Sequence, residues 1–302
     1  KETIIISAIR FYEGGPLTVL INFILGSYHY SMKNDKYEFK FFVNDTSKLP
    51  NISSPYISYV EFPSARKSYF HRLFFEYIYF FLYTLKNKTR LWLSLHDISP
   101  ILYKTEQVVY CHNPQPFYKG FSYLNLLNIR EFMFRLVYKY FYRFNIHSNK
   151  FLIVQQEWLK DQFHLNFNLN LKKIVVAPPD SSFRPVTRSH IIEEDTFTFF
   201  YPAFPRTFKN FEVICEAAML LSTQTTTKFN VILTINGTEN LYAYYIFKKY
   251  SNLNCISFVG QQSRQQVDQY YSCCDCLLFP SKVETWGLPI SEFKNYIKPI
   301  IV

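Results

Sequence analysis

Glu284 and Glu292 stand with seven residues between them in the run Glu-Thr-Trp-Gly-Leu-Pro-Ile-Ser-Glu. An apolar strand (residues 275–279) and a Pro280-Ser281 turn precede the run. Gly287 lets the backbone approach a ligand closely, and Pro289 suits the first turn of a helix, where its missing N–H costs nothing. The pattern therefore predicts a strand, a loop and a helix N-terminus whose free amides can hold an anion, with a carboxylate on either side to bind hydroxyls. An anion in the middle and hydroxyls at both ends is the chemistry of a sugar nucleotide.

Three more loops follow strand-like runs. Residues 202–210, Pro-Ala-Phe-Pro-Arg-Thr-Phe-Lys-Asn, enter a helix with Arg206 and Lys209, two cations that could clamp a diphosphate or could be ordinary surface charges. His112-Asn113-Pro114 follows the run 107–111. A lone histidine is more often structural, but a strand end facing an interdomain cleft favours function. Glu13-Gly14-Gly15-Pro16 follows the run 3–9 and reads equally as a phosphate loop or as a tight turn opening a helix. Each loop alone is modest evidence; four at the carboxyl ends of strands are stronger, because ligands of open α/β sheets bind there. No Asp-x-Asp occurs in the chain. Diphosphate transfer with a chelated divalent ion normally uses such a pair, so we expect no metal and no cofactor.

The elements that must position these loops alternate almost throughout. Runs at 3–9, 37–43, 56–62, 90–95, 107–111, 151–154 and 173–177 read as strands, with helical stretches at 16–28, 68–86, 121–144 and 156–167. Most runs are continuously apolar, as in a parallel sheet covered on both faces. Residues 178–195 are polar and proline-bearing and read as a linker. Alternation then resumes, with strands at 196–201, 229–235, 255–259, 275–279 and 299–302 and helices at 210–221, 240–250, 263–271 and 288–296. Two doubly wound Rossmann-like α/β domains facing a cleft follow, 1–185 and 186–302, the second carrying the loops with sugar-nucleotide chemistry. The chain stops on a strand where a covering helix is usual, so a C-terminal truncation is expected.

The chain of 302 residues is 48% hydrophobic and carries a net charge of +10, all of it within residues 1–185. Such a charge suits nucleic acid, an anionic membrane surface or a phosphorylated acceptor. No nucleic-acid motif is present, and the aromatics sit in apolar runs rather than as isolated stacking residues, which argues against nucleic acid. The six cysteines show no disulfide spacing, and Cys273-Cys274-Asp275-Cys276 has no second Cys/His pair for zinc. No signal peptide is evident, and the longest apolar run, 73–85, is too short to cross a bilayer, so a cytoplasmic location is expected.

These residues resemble the retaining glycosyltransferases of the two-Rossmann-domain GT-B architecture, family 4 (glycosyl transferases group 1), along essentially the whole chain. Glu284 and Glu292 match the family's Glu-x7-Glu motif, and Pro299 its proline before the next strand; Lys209-Asn210, His112 and Gly14-Gly15 match its remaining signatures. The resemblance implies that Glu284 contacts the sugar hydroxyls and Glu292 the ribose. It implies further that Lys209 and the amides of Trp286, Gly287 and Leu288 hold the diphosphate, and that His112 lies near the transferred sugar. Arg206 stands closer to the lysine than the family's phosphate-binding arginine, and Phe293, Asn295 and Ile297 replace its usual small residues. The implied activity is metal-independent hexosyl transfer to a glycan or lipid-linked acceptor in bacterial surface polysaccharide synthesis. A non-catalytic GT-B scaffold and a sugar-nucleotide epimerase or hydrolase are the alternatives.

Arg135, Lys139 and Arg143 recur every four residues among Phe132, Phe134, Tyr138, Tyr140, Tyr142 and Phe144, while Arg66, Lys67 and Arg72 flank the start of a second aromatic run, residues 74–83. A basic and aromatic face of this kind suits the anionic inner surface of a membrane, where lipid-linked acceptors lie. The rival reading makes the aromatics core and the cations a solvated edge.

Overall fold

The apolar runs of the first half become seven parallel strands: β1 (Glu2–Ala8), β2 (Tyr37–Val43), β3 (Ile57–Glu61), β4 (Leu91–Ser94), β5 (Glu106–Cys111), β6 (Phe151–Val154) and β7 (Ile174–Val176). Their order is β3-β2-β1-β4-β5-β6-β7. The computed structural model describes residues 1–179 and 195–302. Neighbouring strand residues point to opposite faces, and both faces are covered. Ile6, Ala8, Phe41 and Val43 pack with Val19, Leu20 and Ile24 of α1 (Gly14–Lys33). Ile5, Phe42 and Trp92 pack with Phe62 and Phe80 on the other face. Burial on both sides is why these strands read as continuous apolar runs rather than alternating ones.

Residues 69–86 form one helical run in three parts, α2 (Tyr69–Phe74), a wide π turn (Phe75–Tyr79) and α3 (Phe80–Lys86). Its buried stripe, Arg72, Glu76, Phe80 and Thr84, steps by four residues. In a regular α-helix each such step drifts by about 40°, so the wider turn in the middle keeps the stripe facing the sheet. The run expected at 121–144 is divided. Ser122 caps a 3₁₀ segment, Tyr123–Asn128, and α4 (Ile129–Arg143) follows, with α5 (Glu157–Phe167) after β6.

The second half holds β8 (Phe197–Tyr201), β9 (Phe229–Leu233), β10 (Ile256–Phe258), β11 (Cys276–Leu278) and β12 (Ile300–Ile301), all parallel, in the order β10-β9-β8-β11-β12. The helices are α6 (Phe211–Gln224), α7 (Leu241–Tyr250), α8 (Arg264–Cys273) and α9 (Leu288–Phe293). Asn240 caps α7 through the amide of Ala243, and Ser263 with Gln266 forms a capping box on α8. One face of the sheet buries Tyr201, Phe211, Leu233, Tyr242 and Phe279; the other buries Phe200, Tyr271, Leu277 and Phe293.

The chain divides into two compact units, Lys1–Phe117 with Val137–Asp180, and Tyr118–Leu136 with Ser181–Val302. The boundary expected between residues 185 and 186 lies outside the described residues. Residues 118–136, assigned by sequence to the first domain, pack with the second unit instead. Leu124 is buried in the second core with Leu127 against it, and the Asn125 amide donates to Thr207 Oγ1 at 2.9 Å. Chain order suggested the first domain, whereas these contacts decide otherwise. All six cysteines are free thiols.

Candidate functional site

In the second sheet the strand order reverses between β8 and β11, so the loops after these two strands leave its carboxyl edge side by side. Several bonds tie them together. The Tyr201 hydroxyl, on a fully buried ring, donates to the Lys209 carbonyl at 2.8 Å and lies 3.0 Å from Ser281 Oγ. The Lys282 amide donates to the Phe208 carbonyl at 2.8 Å, and the Asn210 amide group to the Pro280 carbonyl at 3.3 Å. Asn210 adopts a left-handed φ of 60°, which asparagine tolerates better than most residues, and this turns the chain into α6.

The result brings Lys209 and Glu284 into a direct ion pair although 75 positions separate them. Their side chains are 18% and 25% exposed, so the pair is mostly shielded yet reachable. The Lys209 ammonium also lies 5.6 Å from the Phe279 ring centre, an apolar wall that weakens screening by water. Gly287 has φ +77°, a left-handed conformation that glycine adopts without steric cost, and it N-caps α9. Trp286 and Leu288 flank it, both half-buried, and the Trp286 indole N–H is buried with no hydrogen-bond partner among the described residues.

Glu292 lies on α9, its side chain 13% exposed, and is held from α8: Arg264 donates to it at 2.5 Å and the Tyr271 hydroxyl at 3.2 Å. Arg264 also bridges Asp268 at 2.8 Å. Burial lowers the Arg264 pKa, but Glu292 and Asp268 outweigh it and raise the value above that of an ordinary arginine. Arg206 is directed elsewhere, pairing with Glu131 at 3.5 Å. Of the expected clamp, Lys209 therefore meets Glu284, while Arg206 meets a residue from the segment that joined this unit.

In the first sheet the order reverses between β1 and β4. Gly14 has φ +64° and is exposed, and Gly15 continues the first turn of α1. A Cβ at Gly14 would meet nothing within 4 Å, so its backbone conformation, not crowding, calls for glycine. His112 follows β5, its side chain 20% exposed, with Phe11 edge-on at 5.4 Å and Tyr110 stacked at 5.8 Å. Its Nδ1 is 3.4 Å from Asp97 Oδ1, beyond good hydrogen-bond geometry.

Asp97 organises this loop. Its buried carboxylate accepts from the amides of His112 (2.8 Å) and Asn113 (3.2 Å) and from the hydroxyls of Tyr138 (3.1 Å) and Tyr142 (3.0 Å). Behind it lies a buried polar cluster. Arg72 donates to the His96 carbonyl at 2.6 Å, His96 Nδ1 is 3.2 Å from Glu76, and His96 Nε2 is 3.2 Å from Ser7 Oγ. Burial pushes Glu76 up to about 8 despite Arg72, and burial with Arg72 beside it holds His96 well below its ordinary value. The sequence reading missed Asp97, Glu76 and Arg264. The first two are the only carboxylates between residues 62 and 105, a visible signal in an apolar stretch; Arg264 had none beyond its i, i+4 spacing to Asp268.

An apolar cavity of about 630 Å³ lies elsewhere in the first unit, lined by Val19, Phe23, Phe39, Tyr110 and Ile153 among others. It offers no cation for a phosphate, and of the groups around His112 Tyr110 lines it.

Residues 186–302 match the family described as Glycosyl transferases group 1. No curated protein sequence matches the chain. Among solved structures, sucrose-phosphate synthase from Thermosynechococcus elongatus is similar over 99% of this chain and 80% of its own, with a TM-score of 0.64 at 15% identity. A glycosyltransferase from Rickettsia africae gives 0.64 at 15% identity over 99% and 78%. Anabaena HepE, solved with UDP and glucose, gives 0.60 at 12% identity over 99% and 80%. The fold is that of the GT-B glycosyltransferases.

Proposed function

We propose that this chain is a retaining, metal-independent hexosyltransferase of glycosyl transferases group 1, family 4, using a nucleotide-diphosphate sugar. The observation that carries the reading is the Lys209–Glu284 pair at the reversal point of a doubly wound sheet, inside the segment that matches the family. An ammonium and a carboxylate side by side suit a ligand with a phosphate next to a hydroxylated ring. Glu284 orients the sugar hydroxyls, and Lys209 with the amides of Trp286, Gly287 and Leu288 takes the diphosphate charge. Glu292, held by Arg264, binds the ribose. Arg206 assists once released from Glu131, Gly14 and Gly15 line the acceptor side, and His112 attends the transferred sugar.

In the reaction the bond from C1 to the diphosphate breaks, with its electron pair going to the phosphate oxygen. The acceptor oxygen bonds to C1 on the same face, and its proton passes to the leaving phosphate. Preorganised positive charge at that phosphate is the protein's main contribution. The acceptor is a glycan or lipid-linked saccharide of bacterial surface polysaccharide synthesis, reached from the cytoplasmic face of the membrane. Among the described residues no helix is long and apolar enough to cross a membrane, which is compatible with a peripheral position.

The test is thermal stabilisation by UDP-, GDP-, ADP- and dTDP-sugars in chelator, beside Glu292→Ala. We expect a rise in Tm with one nucleotide class that the variant loses. No rise with any class would overturn the donor assignment.

A further inference from the structure

The helical run 69–86 is apolar beyond the side that it packs on the sheet. Its buried stripe carries the ionisable residues Arg72 and Glu76 beside Phe80 and Thr84, and its solvent side carries Phe70, Phe74, Ile78, Leu82 and Leu85, exposed by 84%, 48%, 51%, 47% and 49%. Arg72 and Glu76 belong to the buried cluster around His96, and Phe80 on the same side packs in the core with Phe42 and Trp92, so the sheet side of the helix is fully occupied. The outward row extends about 23 Å along the helix, with no charged residue in it. Contiguous exposed apolar rows on folded proteins mark surfaces that meet something.

The ends of the row say what that is. Arg66 and Lys67 stand before it and Lys86 and Lys88 after it, all exposed. The two carboxylates between residues 62 and 105, Glu76 and Asp97, are both buried, so this stretch shows the solvent no carboxylate. Pairing with a second copy would set cations against cations in either antiparallel or parallel register. A bilayer interface meets every feature: the Phe and Leu row enters the acyl boundary while the terminal Lys and Arg reach anionic headgroups.

Residues 121–144 also expose apolar side chains, among them Ile129, Met133, Leu136 and Tyr140, but two of the three cations of the expected stripe are engaged within the fold. Arg135 donates to the Gly120 carbonyl, Lys139 to Asn166, and Tyr138 and Tyr142 are buried. Arg72, counted with the basic cluster by sequence, is buried too. Phe144 touches this region by packing edge-on against Tyr77 at 4.6 Å.

We propose that the outward face of residues 69–86 is an interfacial docking surface for an anionic lipid bilayer, its apolar row inserting and Arg66, Lys67, Lys86 and Lys88 reading the headgroup charge. The assignment deepens the peripheral-membrane part of the proposed function and is independent of the donor chemistry.

The experiment is co-sedimentation with phosphatidylcholine vesicles, with and without phosphatidylglycerol, for the chain, for Phe70→Ser/Phe74→Ser and for Lys86→Glu/Lys88→Glu. The chain should bind the anionic vesicles and weakly or not at all the neutral ones. The phenylalanine variant should lose about tenfold or more in partitioning. Each reversed lysine should cost at least about fivefold, on anionic vesicles only. Stabilisation by the nucleotide sugar should survive in both variants, which shows that they fold. An unmodified chain that ignores anionic vesicles, a phenylalanine variant that binds unchanged, or self-association through the row in light scattering would each overturn the docking surface. Donor binding without vesicle binding would remove only this inference, and vesicle binding without donor binding only the donor reading.

Discussion

Replacing Lys209 by methionine keeps an unbranched side chain one atom shorter and removes its charge, which separates two roles of the Lys209–Glu284 pair. If the pair only braces two loops, its loss costs stability. With side chains 18% and 25% exposed, the pair falls between the exposed and fully buried limits, and we expect about 2 kcal/mol. If Lys209 also receives a diphosphate, a charge-assisted hydrogen bond of about 1.5–3 kcal/mol disappears from the complex, or about 10- to 150-fold in affinity. Turnover falls by about 10²–10³. Glu284→Gln should act in the opposite sense on the bare nucleotide. With its carboxylate gone, Lys209 is no longer neutralised, so a nucleoside diphosphate binds at least as tightly as to the parent, while the further affinity gained from the attached sugar falls. Isothermal titration with the stabilising nucleoside diphosphate and its sugar ester, on parent and both variants, measures these terms. A Lys209→Met protein that binds the diphosphate within about twofold of the parent would refute the reasoning, because no phosphate contact would then exist to lose.

Two further outcomes concern the first unit. Asp97→Asn preserves the left-handed φ of 71° but removes the charge that four donors share. It should cost about 2 kcal/mol or more in chemical denaturation and disperse the imidazole resonances of His112 in NMR, and an unperturbed spectrum would show that Asp97 does not position that loop. Folding should also weaken between about pH 6.5 and 8. From the ordinary values of 4.5 and 6.5, the unfolded chain carries its proton on His96 while the folded chain carries one on Glu76, so the two cancel in between. Above that the folded state alone holds a proton, and stability falls by about 2 kcal/mol up to pH 8, a decline that Glu76→Gln should abolish in denaturant titrations.

Much of the architecture was legible because the strands are buried on both faces. Residues 37–43 and 151–154 match the observed strands to the residue, since a continuous apolar run between polar turns leaves little freedom in its ends. The helix at 121–144 read less well. Its aromatic content hides the break at Ile129, and nothing local reveals that residues 118–136 prefer the second core. The donor loop was legible for a different reason: Gly287 and Pro289 carry backbone constraints that only a few structures satisfy.

What lay beyond reach was pairing across the chain. The sequence by itself determined two parallel α/β sheets, the loops at their carboxyl edges and the residue types on those loops, because periodicity, glycine and proline act over a few positions. Only the tertiary structure decided that Lys209 meets Glu284, that Arg206 meets Glu131, that Arg264 holds Glu292, and that the helix at 69–86 turns Arg72, Glu76 and Phe80 inward and Phe70 and Phe74 out. Such choices depend on strand order and on which polar groups burial obliges to find partners, and neither is written in any local stretch of residues.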